Sequence, residues 1–373
     1  MTITYNNKTC DLQSCETQSC DLQSCDPQTC DLQSCDPQTC DLQSCDPQTC
    51  DLQSCETQTC DIQPCNPQTC NSTLMVRPAR FAYNPQTAEN NAFQKTPSQH
   101  EDEIHQKALA EFDAFVSLLR AHDIHVTVVQ DTPEPHTPDS IFPNNIFSLH
   151  RDGTLVLYPM FAPNRRREHK TALRATLEEK FVVDRVIDLT PYEALGKFLE
   201  GTGSMVLDHQ HRIAYACRSP RTHGDLLNDF CARLDYRPTL FNALDRNGQP
   251  IYHTNVMLCV ASTYMVVCIE ALPTTADREA ILASAAATNK EVIPIDFSQM
   301  EQFAGNMLQL HNRDGQPFLI LSATALRSLS PQQIVQLERH NPLLAPEIPT
   351  IEENGGGSAR CMIAECFAPK LTE

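Results

Sequence analysis

The sequence NGGGSARCMIAE, residues 354–365, places three consecutive glycines shortly before a cysteine, Cys361. Glycine accepts positive φ values and lets the backbone approach a ligand closely. A cysteine carried by such a loop can face a pocket, as a nucleophile must, whereas a structural cysteine more often lies inside an apolar run. The apolar residues after it favour the end of a strand. A glycine turn before a buried thiol is the alternative, and the rest of the chain has to separate the two.

The overall composition limits the kinds of protein that this chain can be. It has 373 residues, 41% of them hydrophobic, so we expect a large folded core. The net charge is −19, and residues 1–72, with eleven acidic residues and one lysine, contribute −10 of it. A net acidic chain repels phosphate backbones, which argues against a nucleic-acid partner. No apolar run reaches the roughly 18 residues of a membrane span, and the N-terminus does not resemble a secretory signal. We therefore expect a cytoplasmic protein with reduced thiols and no membrane association.

Residues 10–70 form a repeat that holds 13 of the 19 cysteines, one at every fifth position. Units of the type CDLQS alternate with units of the type CDPQT, and the CDLQS units resemble the pentapeptide-repeat family, which forms a β-helix. Prolines such as Pro27 depart from that family, and each lacks an amide donor. We expect a disordered acidic tail, with a short β-helix as the alternative. A thiol-rich metal or redox tail is disfavoured, because five-residue spacing is not the CxxC spacing of zinc sites.

The globular part, residues 73–373, shows the order strand, strand, helix, strand about four times, after a first and less complete unit. Apolar residues recur at helical spacing in the first long helix: Ile104, Ala108, Phe112, Phe115 and Leu119. The stretch IHVTVVQ, residues 124–130, reads as a strand, and Asp152-Gly153 as a hairpin turn. Several ββαβ units in one domain predict an internally repeated α/β architecture. No phosphate-loop or dinucleotide glycine pattern accompanies them.

Polar segments interrupt this apolar pattern at loop positions. They are PDSIFPNN (138–145), NRRRE (164–168), LEGTGS (199–204), CRSPRT (217–222) and IYHTN (251–255). A cysteine nucleophile needs a base or an acid partner, and His253 is the candidate. That histidine needs an orienting carboxylate, and Glu200 in a glycine-flanked loop is suitable. Taken singly, each has a structural alternative: His253 as a core histidine, Glu200 as a turn residue, and the arginines at 165–167 as a solvated helix start.

The order and spacing of these segments resemble the guanidino-group-modifying enzymes, the amidinotransferase and arginine deiminase superfamily. The matching elements are FPNN, PMFAPNRRRE, EGTG, IYHTN and GGGSARCM, over about residues 74–368. The resemblance implies an α/β fold, the five-bladed pentein propeller of ββαβ units, preceded here by the Cys-rich segment. It implies Cys361 as nucleophile, His253 as acid and base, and Glu200 as the partner of His253. It also implies a substrate-binding set: Asp139 for the α-amino group, Phe142 against the flat group, and Arg165 and Arg221 for the α-carboxylate.

Two positions depart from the deiminases, which clamp the cationic guanidinium between two aspartates. Both are amides here, Asn145 and Asn255, and the sequence leaves open whether Asn144 rather than Asn145 faces the substrate. An asparagine offers a carbonyl acceptor and an NH₂ donor without charge, which suits the neutral ureido group. Arginine would lose the hydration of its cation without gaining a counter-charge. The EGTG segment also ends in Gly203, where the deiminases carry an aspartate.

These observations predict a citrulline hydrolase (ureidase) that gives ornithine, carbon dioxide and ammonia. Within the same chemistry, the alternatives are an arginine deiminase, an arginine dihydrolase or an amidinotransferase. A non-catalytic interaction protein is the alternative of another class. We expect a small amino-acid substrate and no metal or organic cofactor, and a homo-oligomer is left open. The other cysteines of the globular part lie in apolar segments and are expected to be core thiols: Cys217, Cys231, Cys259, Cys268 and Cys366.

Overall fold

The computed structural model describes residues 2–5, 8–11, 67–97, 99–170 and 172–371. The chain divides into two compact units, Met1–Pro64 and Cys65–Glu373. Most of the cysteine repeat, residues 12–66, lies outside the described residues, so its disorder stays a prediction. The first unit contains an antiparallel pair of strands, β1 (Thr2–Tyr5) and β2 (Lys8–Asp11). Across the described ranges, no helix is both long enough and apolar enough to cross a bilayer.

The described strands of the second unit form five three-stranded sheets. In four of them the order along the chain is the predicted strand, strand, helix, strand. The first two strands pair antiparallel, and the third pairs parallel to the second, because a helix carries the chain back across the sheet. These strands are β5 (Phe147–Leu149), β6 (Thr154–Leu157), β7 (Arg185–Asp188), β8 (Met205–Asp208), β9 (Ile213–Cys217), β10 (Arg237–Phe241), β11 (Leu258–Val260), β12 (Tyr264–Cys268), β13 (Glu291–Ile295), β14 (Leu308–His311), β15 (Pro317–Ile320) and β16 (Leu343–Leu344).

The fifth sheet joins the two ends of the second unit. Strand β3 (Ser72–Arg77) pairs parallel with β4 (His125–Gln130) and antiparallel with β17 (Ala364–Glu365). The unit that looked incomplete in sequence is therefore completed by the residues that follow Cys361. This pairing holds the Cys361 loop against the start of the folded unit.

The helices connect these strands and pack against the sheets. Helix α2 buries all five of the apolar residues that the sequence placed on one face. The sequence favours one charged helix from about Arg166 to Phe181, but the structure has a 3-10 turn over Arg165–Lys170 followed by α3 (Leu173–Lys180). The helices are α1 (Pro85–Ala88), α2 (Glu101–Ala121), α3 (Leu173–Lys180), α4 (Gly201–Ser204), α5 (Gly224–Leu234), α6 (Thr275–Ala287), α7 (Phe297–Met300), α8 (Ala323–Ser328), α9 (Pro331–Glu338) and α10 (Pro349–Gly355). The cysteines predicted as core thiols are all buried: Cys217, Cys231, Cys259, Cys268 and Cys366.

The folded unit begins before the boundary that we predicted between residues 72 and 73. Gln68 is buried, and its amide donates to the carbonyls of Leu207 and Val260 at 3.0 and 3.1 Å. Its Oε1 accepts from the backbone N–H of His209 at 2.7 Å. Cys70, the last cysteine of the repeat, is also buried. The end of the repeat is therefore part of the folded unit.

Truncation tests this boundary. A chain that lacks residues 1–64 should keep the thermal stability of the full chain, because it retains every described contact of the second unit. A chain that lacks residues 1–72 should melt several degrees lower, because it loses Gln68 and the first residue of β3, and each buried group left without a partner costs about 1–3 kcal/mol. Circular dichroism melts of the two truncated chains make the comparison. Equal melting temperatures would contradict it.

Candidate active site

The site is built from the loops that lead into the antiparallel edge strand of each sheet. Asn145 lies just before β5, Gly203 before β8, Asn255 before β11, Asn306 before β14 and Cys361 before β17. Short 3-10 turns, Pro143–Asn145 and Thr254–Val256, present the two asparagines, and His253 directly precedes the second turn. Five sequence-distant segments, one before each of these edge strands, therefore contribute to a common site.

These loops enclose a cavity of about 20 Å³, roughly the space of one water molecule. Seven of the ten predicted site residues line it: Asp139, Phe142, Asn145, Arg165, Arg221, His253 and Cys361. The other three lie directly behind this lining. Glu200 contacts His253, Asn255 contacts Cys361, and the backbone carbonyl of Asn144 accepts from the Thr202 hydroxyl. The lining role therefore falls to Asn145 rather than Asn144.

Cys361 is buried, with 5% of its surface exposed, and two amides surround its sulfur. The Nδ2 atoms of Asn255 and Asn306 lie 3.6 and 3.3 Å from Sγ. The glycines before it are needed for different reasons. Gly356 has a φ of +64°, whereas a side chain at Gly355 or Gly357 would meet the ring of Phe142 at 2.7–2.8 Å. The triple glycine thus seats the loop against Phe142, and only one of the three needs the left-handed conformation.

His253 and Glu200 form a buried pair. His253 Nε2 lies 2.8 Å from Glu200 Oε2, and Arg221 Nη1 lies 3.4 Å from the same oxygen. Burial opposes ionisation of Glu200, but Arg221 and the hydrogen bond from His253 outweigh it and lower the pKa to about 2. Burial lowers the pKa of His253 to about 4, and Glu200 offsets only part of that effect. The carboxylate can only accept, so Nε2 carries the proton of the neutral ring and Nδ1 is left as a base.

Most N–H groups of Arg165 already donate hydrogen bonds to other residues of the chain. Its guanidinium donates to both oxygens of Glu168 at 2.9 and 3.0 Å, to Asn145 Oδ1 at 2.6 Å and to the Phe142 carbonyl at 3.0 Å. A guanidinium has five N–H groups, so these bonds leave one for another ligand. Asp139 lies 4.0 Å from Arg165. Burial raises the pKa of Asp139, while Arg165 and the amide of Asn84 oppose the rise.

Residues 84–95, which we call the covering segment, contribute Thr87 and Asn91 to the lining of the cavity. Asn90 Oδ1 accepts from both Nε and Nη2 of Arg221, and the Thr87 carbonyl accepts from Nη2. Asn91 donates to the Gly356 carbonyl at 3.2 Å, so the covering segment also holds the glycine loop. The run of polar residues NPQTAENN, residues 84–91, is the sequence feature that could have indicated a role at the site.

Gly203 leaves no room for any side chain. A Cβ there would lie 2.7 Å from His253 Nδ1 and would overlap Asn145 Nδ2. Where the deiminases carry an aspartate, this chain therefore has Gly203, which packs directly against His253 and the amide of Asn145. Among the described residues, no group of three or more His, Cys, Asp or Glu is arranged to hold a metal ion.

Replacement of Gly203 by alanine should lower activity about 100-fold or more, because the added methyl displaces His253 and Asn145 from their working positions. The same crowding should lower stability by about 1–3 kcal/mol. Steady-state kinetics and a thermal melt measure the two effects. Gly248, whose Cβ position faces open space in an exposed turn, gives the control for activity, while its φ of +75° means that alanine there should lower the melting temperature. Its alanine variant should keep full activity. An unchanged rate in the Gly203 variant would contradict the packing described above.

The chain resembles the N-terminal domain of ArgZ bound to substrate, an arginine dihydrolase from the ornithine–ammonia cycle in cyanobacteria, with a TM-score of 0.60 and 18% identity over 80% of this chain and 99% of that chain. Unliganded AgrE gives a TM-score of 0.61 and 19% identity over 81% of this chain and 40% of that chain. The dimethylarginine dimethylaminohydrolase adduct with S-methyl-L-thiocitrulline gives 0.54 and 15% identity over 79% and 98%. At these identities the likeness shows a shared fold.

The sequence itself carries the family assignment. No curated protein matches it. The family model for eukaryotic N,N-dimethylarginine dimethylhydrolase, however, matches residues 77–368. This match spans most of the chain and confirms the predicted superfamily. The chain therefore belongs to the N,N-dimethylarginine dimethylhydrolase family, within the guanidino-group-modifying amidinotransferase superfamily of C–N hydrolases.

Proposed function

We propose that this chain is a citrulline hydrolase (ureidase), which splits a ureido C–N bond through Cys361. The observation that carries the proposal is a pair of amides at this site. Asn145 lines the cavity and has an unpartnered donor, Nδ2, whereas Asn255, which contacts Cys361, has an unpartnered acceptor, Oδ1. A ureido group offers a carbonyl oxygen and N–H groups, so it matches that pair.

The orientation of Asn145 follows from its neighbour. Arg165 Nη1 lies 2.6 Å from one atom of the Asn145 amide, and a guanidinium can only donate. That atom must therefore be the oxygen, and Nδ2 faces the other way. It has no hydrogen-bond partner within the described structure. A buried N–H group without a partner points to a ligand that accepts, such as a ureido oxygen.

Asn255 presents the opposite group. Its Nδ2 faces Cys361 Sγ at 3.6 Å, and its buried Oδ1 has no partner in the part of the chain that is described. An amide NH₂ of the substrate would satisfy this oxygen. A guanidinium would instead bring N–H groups against Nδ2 of Asn145 and bury its charge with neither amide able to neutralise it. The unmet donor costs about 1–3 kcal/mol, and the uncompensated charge adds to it.

The amino-acid end of the substrate has partners at the opposite wall. Asp139 Oδ1 is buried without a partner among the described residues, and a carboxylate suits an α-ammonium group. Arg221 donates through Nε and Nη2 to Asn90 Oδ1 and through Nη2 to the Thr87 carbonyl. Its Nη1 also donates to Glu200, so one N–H is left for a substrate carboxylate. Arg165 likewise has one N–H left, so each arginine can give the carboxylate one hydrogen bond, and Arg165 also orients Asn145. Phe142, held between glycines, packs against the flat ureido group.

The chemistry proceeds through a covalent intermediate. Nδ1 of neutral His253 accepts the thiol proton of Cys361, and the thiolate adds to the ureido carbon while the carbonyl electrons move onto oxygen, which Nδ2 of Asn145 stabilises. When the carbonyl re-forms, one C–N bond breaks, and its nitrogen leaves with the proton from His253. His253 then deprotonates a water, whose attack breaks the C–S bond. The carbamate that results decomposes, so one water and one citrulline give ornithine, carbon dioxide and ammonia.

A guanidino hydrolase acting on arginine or a methylated arginine is the second candidate. It is favoured by the family that the chain belongs to and by its likeness to an arginine dihydrolase.

We also propose that the five sheets are arranged as the blades of an α/β propeller. The contacts between the edge strands β8 and β11, β11 and β14, and β17 and β5 support that arrangement.

The test is product release from purified protein. We expect ornithine and ammonia from citrulline, with kcat/KM for arginine and for dimethylarginine at least about 100-fold lower. Ornithine is measured by chromatography and ammonia by a coupled assay, with agmatine as a substrate that lacks the α-carboxylate. Comparable turnover of arginine would replace the ureidase assignment by the guanidino hydrolase. No turnover of any of them would favour a non-catalytic role.

A further inference from the structure

Asn306 is a buried polar residue next to the proposed nucleophile, Cys361. It lies between α7 and β14, with 1% of its surface exposed. A Cβ at the preceding Gly305 would overlap the Val256 carbonyl and approach Met257 Cα to 2.8 Å, so the Gly305-Asn306 pair is pressed against the turn that carries Asn255. The position of Asn306 is therefore set by packing against another loop of the site.

The hydrogen bonds of Asn306 fix which way its amide points. Oδ1 lies 3.1 Å from the backbone nitrogen of Arg360, which can only donate. Nδ2 lies 2.9 Å from the backbone carbonyl of Asn255, which can only accept. Both contacts require the same orientation. The second hydrogen of Nδ2 is then left for Cys361 Sγ, 3.3 Å away, which is closer to the sulfur than Oδ1 at 3.6 Å.

We propose that Asn306 is a thiolate-binding residue that stabilises the ionised Sγ of Cys361 once His253 has taken the thiol proton. A sulfur accepts hydrogen bonds better as a thiolate than as a thiol, so a donor of fixed orientation favours the ionised nucleophile. Asn306 is the closer of the two amide donors at the sulfur, since Asn255 Nδ2 lies 3.6 Å away. The inference rests on the proposed role of Cys361 as nucleophile.

The same contacts give Asn306 a second task within this role. It bridges the backbone of Arg360, directly before the cysteine, and the backbone of Asn255, which carries the acceptor for the ureido NH₂. The side chain of Asn306 therefore helps to fix the distance between the sulfur of Cys361 and the proposed ureido site. The loop before β14 thus supplies a residue to the site, as the loops before β5, β11 and β17 do.

The experiment compares Asn306→Asp and Asn306→Ala with the wild-type full chain. The rate at which iodoacetamide labels Cys361 is followed by mass spectrometry of its peptide, between pH 6 and pH 9 and without substrate. We expect Asn306→Asp to slow labelling near neutral pH about tenfold or more, because a carboxylate replaces the donor by a like charge. The loss should shrink at higher pH, and Asn306→Ala should show a smaller loss. For citrulline, kcat should fall while KM changes less than about threefold.

The control is Asn312→Asp at the far end of β14. Oδ1 of Asn312 accepts from the backbone N–H groups of Asp314 and Gln316, and an aspartate keeps those bonds. This variant should label and turn over like wild type. If Cys361 labels readily in the wild type and equally fast in both Asn306 variants, the thiolate-binding role is overturned while the proposed function stands. If wild-type Cys361 neither labels nor turns over citrulline, the nucleophile assignment fails, and the role of Asn306 fails with it. Thermal melts of each variant keep a folding defect apart from a loss of reactivity.

Discussion

Replacement of Cys361 by alanine should lower the turnover of citrulline roughly 10⁴-fold or more, which is the size of loss seen when a covalent nucleophile is removed. The physical reason is that no other described thiol lies at the cavity that His253 and Asn145 line. Stability should fall slightly, because alanine leaves a small void in place of the buried sulfur. The measurement is the rate of ornithine release at saturating citrulline, together with a thermal melt.

The matched control is Cys259→Ala. Cys259 is equally buried but lies on β11 inside the apolar core, away from the cavity. Its alanine variant should lose stability through the small void that it leaves and should keep most of its activity. Full activity in the Cys361 variant would remove the covalent mechanism. Equal losses of activity in both variants would point to a general effect of cysteine loss on the fold.

The paired substitution Asn145→Asp with Asn255→Asp should reverse the substrate preference. Two carboxylates would supply the counter-charge that a guanidinium needs, each well-made contact being worth about 1.5–3 kcal/mol. They would also remove the donor that the ureido oxygen requires. We expect kcat/KM for citrulline to fall roughly 100-fold or more and kcat/KM for arginine to rise above it. Assays of both substrates with the wild type, both single variants and the double variant measure the change.

Arg165 makes the two single substitutions unequal. An aspartate at 145 keeps an oxygen beside Arg165 Nη1, so the side chain stays in place while its donor is lost. An aspartate at 255 puts a negative charge next to Cys361 Sγ and should slow the reaction with every substrate. Asn341→Asp is the control, since its Oδ1 accepts from Tyr264 and Gln309 in the core. A double variant that still prefers citrulline would show that the amides do not set the preference for charge.

Much of the fold and part of the site follow from local pattern. The recurring ββαβ units were visible because apolar residues repeat with period two in strands and about 3.6 in helices, and α2 buries the face that this spacing predicted. Cys361, His253 and Glu200 could be chosen because each stands in a polar or glycine-rich loop between apolar elements. His253 Nε2 lies 2.8 Å from Glu200 Oε2, as expected for a histidine and the carboxylate that orients it.

Other features depend on residues that are far apart along the chain. The first sheet is completed by β17, which pairs with β3 across almost the whole folded unit. Gln68 belongs to the repeat in sequence but to the core in space. The direction in which Asn145 presents its amide is set by Arg165, and that of Asn306 by Arg360 and Asn255. The side-chain amide of an asparagine carries both a hydrogen-bond donor and an acceptor, and the sequence does not say which of them faces the substrate. The folded structure decides this, because it places beside the amide a neighbour that can only donate or only accept.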